Sequence, residues 1–120
     1  MTDEEVLAFV QASIPSVWAL ELLLLVRRDG TQAWRVDALV RELRSTATVV
    51  DDSLAALQSA GMVVGQDGLY RYQPASPAVD GLVAATARIY AIKPVSVIRA
   101  IVTAPNDKLR TFANSFKLKE

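Results

Sequence analysis

The chain has 120 residues, 52% hydrophobic and 22% charged, which is the length of one domain and a composition that builds a core and excludes a disordered tail. It has no cysteine and no histidine, so disulfide frameworks, thiolate zinc sites, thiol nucleophiles and imidazole bases are excluded. Net charge is zero, but residues 1–87 hold 6 Lys and Arg against 11 Asp and Glu, and residues 88–120 hold 7 against 2. Such asymmetry marks either an interaction tail or two segments that attract each other within the fold or across a dimer.

The start of the chain lacks the basic region of a secretory signal, and the longest apolar run, Val17 to Val26, is interrupted by Glu21 and too short to span a bilayer. The chain therefore reads as soluble and cytoplasmic. Thr2 and Glu5 match a capping box, and Asp3, Glu4 and Glu5 suit a helix N-terminus, so a short first helix is expected. Pro15 starts a second, expected to reach Arg28. Leu20 and Leu22 to Leu25 make it apolar on nearly every side and place it centrally. Ala33 to Val36 is too short to classify. A third helix is expected from Asp37 through Arg44, and Ser45 and Thr46 make a turn.

The helix from about Ala47 to Ala60 carries Val50, Leu54 and Leu57 at i, i+4, i+7 as one buried stripe, with Gly61 as its left-handed terminator. Met62–Gly65 and Leu69–Tyr72 are strand candidates joined by Asp67-Gly68, the signal of a two-residue hairpin. Pro77 opens a helix with Val79, Leu82, Val83, Thr86 and Tyr90 on one face. Residues 94–104 read as a helix started by Pro94, with a strand left open by the β-branched content. The last helix is expected to carry Leu109, Phe112, Ala113 and Phe116 as an apolar stripe among Lys108, Arg110, Lys117 and Lys119.

Helix, short strand, helix, turn, helix and hairpin is the order of a winged helix-turn-helix domain. Val36 to Leu43, Ser45, Val50, Leu54, Leu57, Gly61 to Val63 and Asp67-Gly68 carry the pattern. On these residues the stretch 17–73 resembles the winged-helix bacterial transcription regulators, in the broad sense of the MarR-like and ArsR-like groups. Length sets a single domain over 1–120, and the resemblance implies that it is mainly α with a small β-hairpin wing. Within it, 17–73 forms the winged-helix core and 77–120 a C-terminal helical extension. It also implies a homodimer or partner surface on residues 77–116, since such regulators often dimerise through helices outside the motif.

The same resemblance places the base-facing positions on Val49, Asp51, Asp52, Ala55 and Ala56. Between Thr46 and Gly61 there is no lysine or arginine. A carboxylate about 6 Å from a phosphate costs roughly 0.7 kcal/mol in bulk water and about 3 kcal/mol at an effective dielectric near 20. Base readout uses arginine, asparagine or glutamine, which this set lacks. The expected function is therefore regulation by protein–protein binding, with Asp51, Asp52, Ala55, Phe112 and Phe116 as contact residues. The alternative is a DNA-binding transcription regulator that holds phosphates through Arg35, Arg41, Arg44, Thr46, Thr48 and Arg71.

Those arginines also have a plain surface role, such as Arg41 pairing with Asp37 at i, i+4, and capping accounts for Thr46 or Thr48. Asp51 and Asp52 diverge by about 100° on a helix, so they do not converge on a metal, and no serine has a histidine base. No catalytic residue, metal site or cofactor is expected. Trp18 and Trp34 read as core, and Tyr70 and Tyr72 as strand alternation around Arg71. The Leu109, Phe112, Phe116 stripe suits packing or dimerisation, with no membrane partner expected.

Overall fold

A computed structural model describes residues 1–103, and the expected final helix with Phe112 and Phe116 lies outside them. The described chain holds α1 (Asp3–Ser13), α2 (Val17–Arg28), α3 (Val36–Leu43), α4 (Ala47–Ser59), β1 (Val63–Gln66), β2 (Leu69–Tyr72), α5 (Pro77–Ile92) and α6 (Pro94–Val102). It is thus mainly helical with one small antiparallel hairpin.

Side-chain caps set the helix starts. The hydroxyls of Thr2, Ser16, Thr46 and Ser76 accept from the backbone N–H of Glu5, Ala19, Val49 and Val79 at 3.2, 3.0, 3.2 and 3.2 Å. Each satisfies a donor that the first turn leaves unpaired. Because Ser16 takes the cap, α2 begins at Val17 and Pro15 stays outside it. α3 begins one residue before the expected Asp37, on an Arg35 whose side chain makes no cap bond. It ends at Leu43, because Arg44 adopts a left-handed conformation (φ 53°, ψ 44°) and turns the chain into α4. Gly61 ends α4 at φ 76°, as its position predicts. α6 is a helix, which closes the strand option.

The hairpin pairs Val63 with Tyr72 through Gln66 with Leu69. Asp67 and Gly68 both take positive φ, 56° and 78°, the geometry a two-residue turn of this kind requires. The unclassified segment before α3 supplies a third, single-residue rung. Trp34 N–H donates to the Tyr70 carbonyl at 2.7 Å and Tyr70 N–H returns to Trp34 at 2.8 Å. That bridge ties the α2–α3 connection to the hairpin.

Packing divides the helices into two groups around one core. α2 lies against α4, with α3 and the hairpin beside them, while α1, α5 and α6 pack on one another. The core is continuous between the groups, running from Val10 and Ile14 through Leu20, Leu22, Leu23, Val26, Leu54 and Leu57 to Val83 and Val97. α2 is central as expected, with six buried residues. Trp18 corrects the expectation of two core tryptophans: it is 43% exposed, because Ala19, Leu20, Leu22, Leu23 and Val26 already fill the inward arc. Trp34 is buried, and its indole Nε1–H has no hydrogen-bond partner among the described residues.

Two tyrosines reach across the fold. Tyr72 of β2 donates to an Asp80 carboxylate oxygen of α5 at 2.6 Å, and Tyr90 of α5 donates to Glu21 of α2 at 2.7 Å. Burial, then the Asp80 hydrogen bond and charge, push the Tyr72 hydroxyl well above the ordinary phenol range, with Arg27 opposing. The Glu21 hydrogen bond and burial push Tyr90 up as well. Both stay neutral donors at physiological pH, holding α5 onto α2 and the hairpin.

Candidate interaction surface

α4 separates its residues by the helical period. Val50, Ser53, Leu54 and Leu57 face the core, and Thr48, Asp51, Asp52, Ala55 and Ser59 lie exposed along the opposite stripe. Val49 and Ala56 are half-buried at the edges of that stripe. The structure therefore brings together two carboxylates, two hydroxyls and a small apolar residue on one water-facing strip. No cation interrupts the sequence from Ser45 through Tyr70, so neither α4 nor β1 supplies one.

The expected phosphate-holding residues are dispersed around this strip. Arg41 and Asp37 pair on α3 at 3.5 Å, both about as exposed as free surface side chains, as their i, i+4 spacing predicts. Such a pair contributes at most a few tenths of a kcal/mol, on the order of 0.3–0.5. Arg44 occupies the turn into α4 and is exposed. The Thr46 hydroxyl accepts from Val49 N–H, so capping accounts for it, and Thr48 is exposed one turn into the helix. Arg71 points away from the core with Val64 opposite it, and Tyr70 and Tyr72 alternate inward. Because Trp34 pairs with Tyr70, the period-two alternation puts Arg35 on the same outer face as Arg71.

Two apolar surfaces escape the sequence reading. The outer hairpin face exposes Val64 and Leu69, and with Ala33, Gln66, Asp67 and Arg71 they line a shallow depression of about 300 Å³. At the far end of the fold, Ile92, Val95 and Val102 stand exposed on α5 and α6. Alternation along Leu69–Tyr72 could have flagged the first. Nothing local flags the second, because α6 is apolar on both its stripes.

No group of three or more carboxylates converges among the described residues. No helix among them is long and apolar enough to cross a membrane. Of the expected attraction between the acidic and basic segments, one ion pair is present among the described residues, Lys93 Nζ to Asp3 Oδ2 at 3.7 Å, largely exposed. Compared with family models, with curated proteins and with solved structures, the chain matches none.

Proposed function

We propose that the chain is a non-catalytic, cytoplasmic winged-helix regulatory protein that acts in transcription control by binding another protein. Residues 17–73 form the winged-helix core in this reading, with α3 and α4 as the helix-turn-helix, the hairpin as the wing and the Trp34 rung as its short first strand. One observation carries the choice of partner. The exposed strip of α4, which faces outward as a recognition helix does, presents Asp51 and Asp52 and no cation. A duplex carries one negative charge per roughly 1.7 Å, so this strip is repelled by the ligand that the scaffold's shape suits. A protein with a basic or hydroxyl-rich surface is attracted to it.

A second reading, a DNA-binding regulator, draws support from one arrangement. Arg35 and Arg71 share the outer wing face, and Arg44 stands beside the N-terminus of α4. Three cations so placed suit phosphate contacts, which position a protein without reading sequence. Titration against genomic DNA fragments at low salt separates the two. The protein-binding reading expects weak binding and a shallow salt slope, and a partner captured from the native host that is lost with Asp51→Lys/Asp52→Lys. Tight DNA binding with a steep salt slope, weakened by Arg44→Ala, would reverse the choice.

A further inference from the structure

Among the described residues, Trp18 is the one tryptophan or phenylalanine that stands exposed. Tryptophan is mostly covered in folded proteins, and it is over-represented where partners bind. Trp18 sits in the first turn of α2, and Glu21 follows it at i+3. Side chains three apart on a helix are neighbours, with Cβ atoms about 5–6 Å apart, and each leans over the turn before its own. The Glu21 carboxylate therefore lies over the turn that carries the Trp18 indole.

Glu21 is half-buried, and Tyr90 O–H donates to its Oε1 at 2.7 Å. That bond arrives from α5 and fixes where the carboxylate points. A carboxylate has room for about four hydrogen bonds, so most of its accepting capacity is left over. Among the described residues it makes no ion pair. Its neighbours one turn away on α2 are Val17, Trp18, Leu24 and Leu25, none of them a cation. Arg28 is two turns further along the helix. Lys93, one turn past Tyr90 on the other helix, is drawn to Asp3 at 3.7 Å. A held carboxylate without a countercharge, beside an open indole, complements a cation that has a flat face.

We infer that Trp18, Glu21 and Tyr90 form a seat for an arginine side chain of a partner protein. The guanidinium stacks on the indole and donates to Glu21, while Tyr90 keeps the carboxylate aimed. Arginine suits the seat better than lysine, because it is planar, weakly hydrated and carries its donors as a fork. Because the Tyr90 bond already orders Glu21, less freedom is lost on binding. Nucleic acid and anionic lipid would bring phosphate up to a carboxylate and are repelled. The seat lies on α2 and α5, away from the exposed strip of α4, and holds under either functional reading above.

Proton–nitrogen correlation spectra of the full chain, titrated with N-acetyl-arginine amide at constant ionic strength, test it. Trp18→Phe tells the two indole N–H signals apart. The Trp18 signal is expected to shift to saturation with a Kd of about 10–100 mM, the range of one exposed stacked ion pair, while the buried Trp34 signal stays in place. The uncharged citrulline amide moves neither. Glu21→Gln keeps an acceptor for Tyr90 and weakens binding about twofold to fivefold, with circular dichroism confirming the fold. Asp51→Lys/Asp52→Lys leaves binding unchanged, which separates this test from that of α4. A Trp18 signal that arginine amide does not move overturns the inference. So does one that citrulline amide moves equally, or one indifferent to Glu21→Gln. Lysine amide binding as tightly as arginine amide overturns the choice of a guanidinium.

Discussion

Arg44 is where the turn geometry and the DNA reading meet, and two substitutions separate them. A left-handed backbone costs an L-residue roughly 1–2 kcal/mol, and Arg44 bears that cost at φ 53°. Arg44→Ala keeps the Cβ and the cost. Arg44→Gly removes it, but glycine gains unfolded-state freedom worth about 0.5–1 kcal/mol. Both variants lose the same cation at the end of α3, so its contribution cancels between them. The glycine variant is therefore expected to exceed the alanine variant by roughly 0–1.5 kcal/mol, up to several degrees in Tm for a domain of this size. Urea denaturation with a common slope reads the difference. An alanine variant clearly more stable than the glycine variant would refute the left-handed turn. In a DNA titration the same pair must behave alike, because both lack the guanidinium. Equal weakening, with the salt slope reduced by about one, supports a phosphate contact; no change in either supports the protein-binding reading.

Three further outcomes follow from the packing. Leu57 is fully buried, so Leu57→Ala is expected to destabilise by about 2–5 kcal/mol in chemical denaturation; a neutral result would place another stripe of α4 inward. Tyr72 is held neutral by burial and Asp80, so its folded pKa lies above its unfolded value. Stability from that group is complete below the unfolded tyrosine value of about 10 and falls as pH rises past it. Tyr72→Phe should lower stability at neutral pH and flatten that alkaline decline; an unchanged pH profile would count against the clasp. Trp34→Phe discards the orphaned indole donor, whose burial costs about 1–3 kcal/mol, along with some apolar area. The two oppose, so the net change in the denaturation midpoint is expected to be small, and a loss of several kcal/mol would show the indole to be well satisfied.

Most helix starts were legible because their signals are local. Thr2, Thr46 and Ser76 cap within three residues, and Asp67-Gly68 specifies its turn by itself, whereas at the second helix Pro15 drew the start away from the Ser16 cap. The α4 stripe was legible because apolar residues occupy only one side. α6 was not, since Val95 and Val102 form as apolar a stripe as Val97 and Ile101, and only the position of α1 and α5 decides which is buried. Trp18 failed for a related reason: α2 has more apolar side chains than the core has space. The Trp34 rung and the Tyr90–Glu21 bond depend on partners far along the chain, and the latter spans 69 residues. Of the candidate surface, the acidity of Asp51 and Asp52 was readable, and their exposure followed from register. How the arginines disperse needed the turn at Arg44 and the pairing of Trp34.

The grouping of α1 with α5 and α6 bears on how the protein folds. α1 precedes α2 along the chain, yet its main packing partners begin at Pro77. Residues 17–73 can collapse on local contacts, whereas α1 leaves Val6 and Val10 wetted until α5 and α6 have formed. Docking of α1 is then a late event in folding, and the interval before it is when the partly folded chain is most open to chaperones and to mispairing with its neighbours.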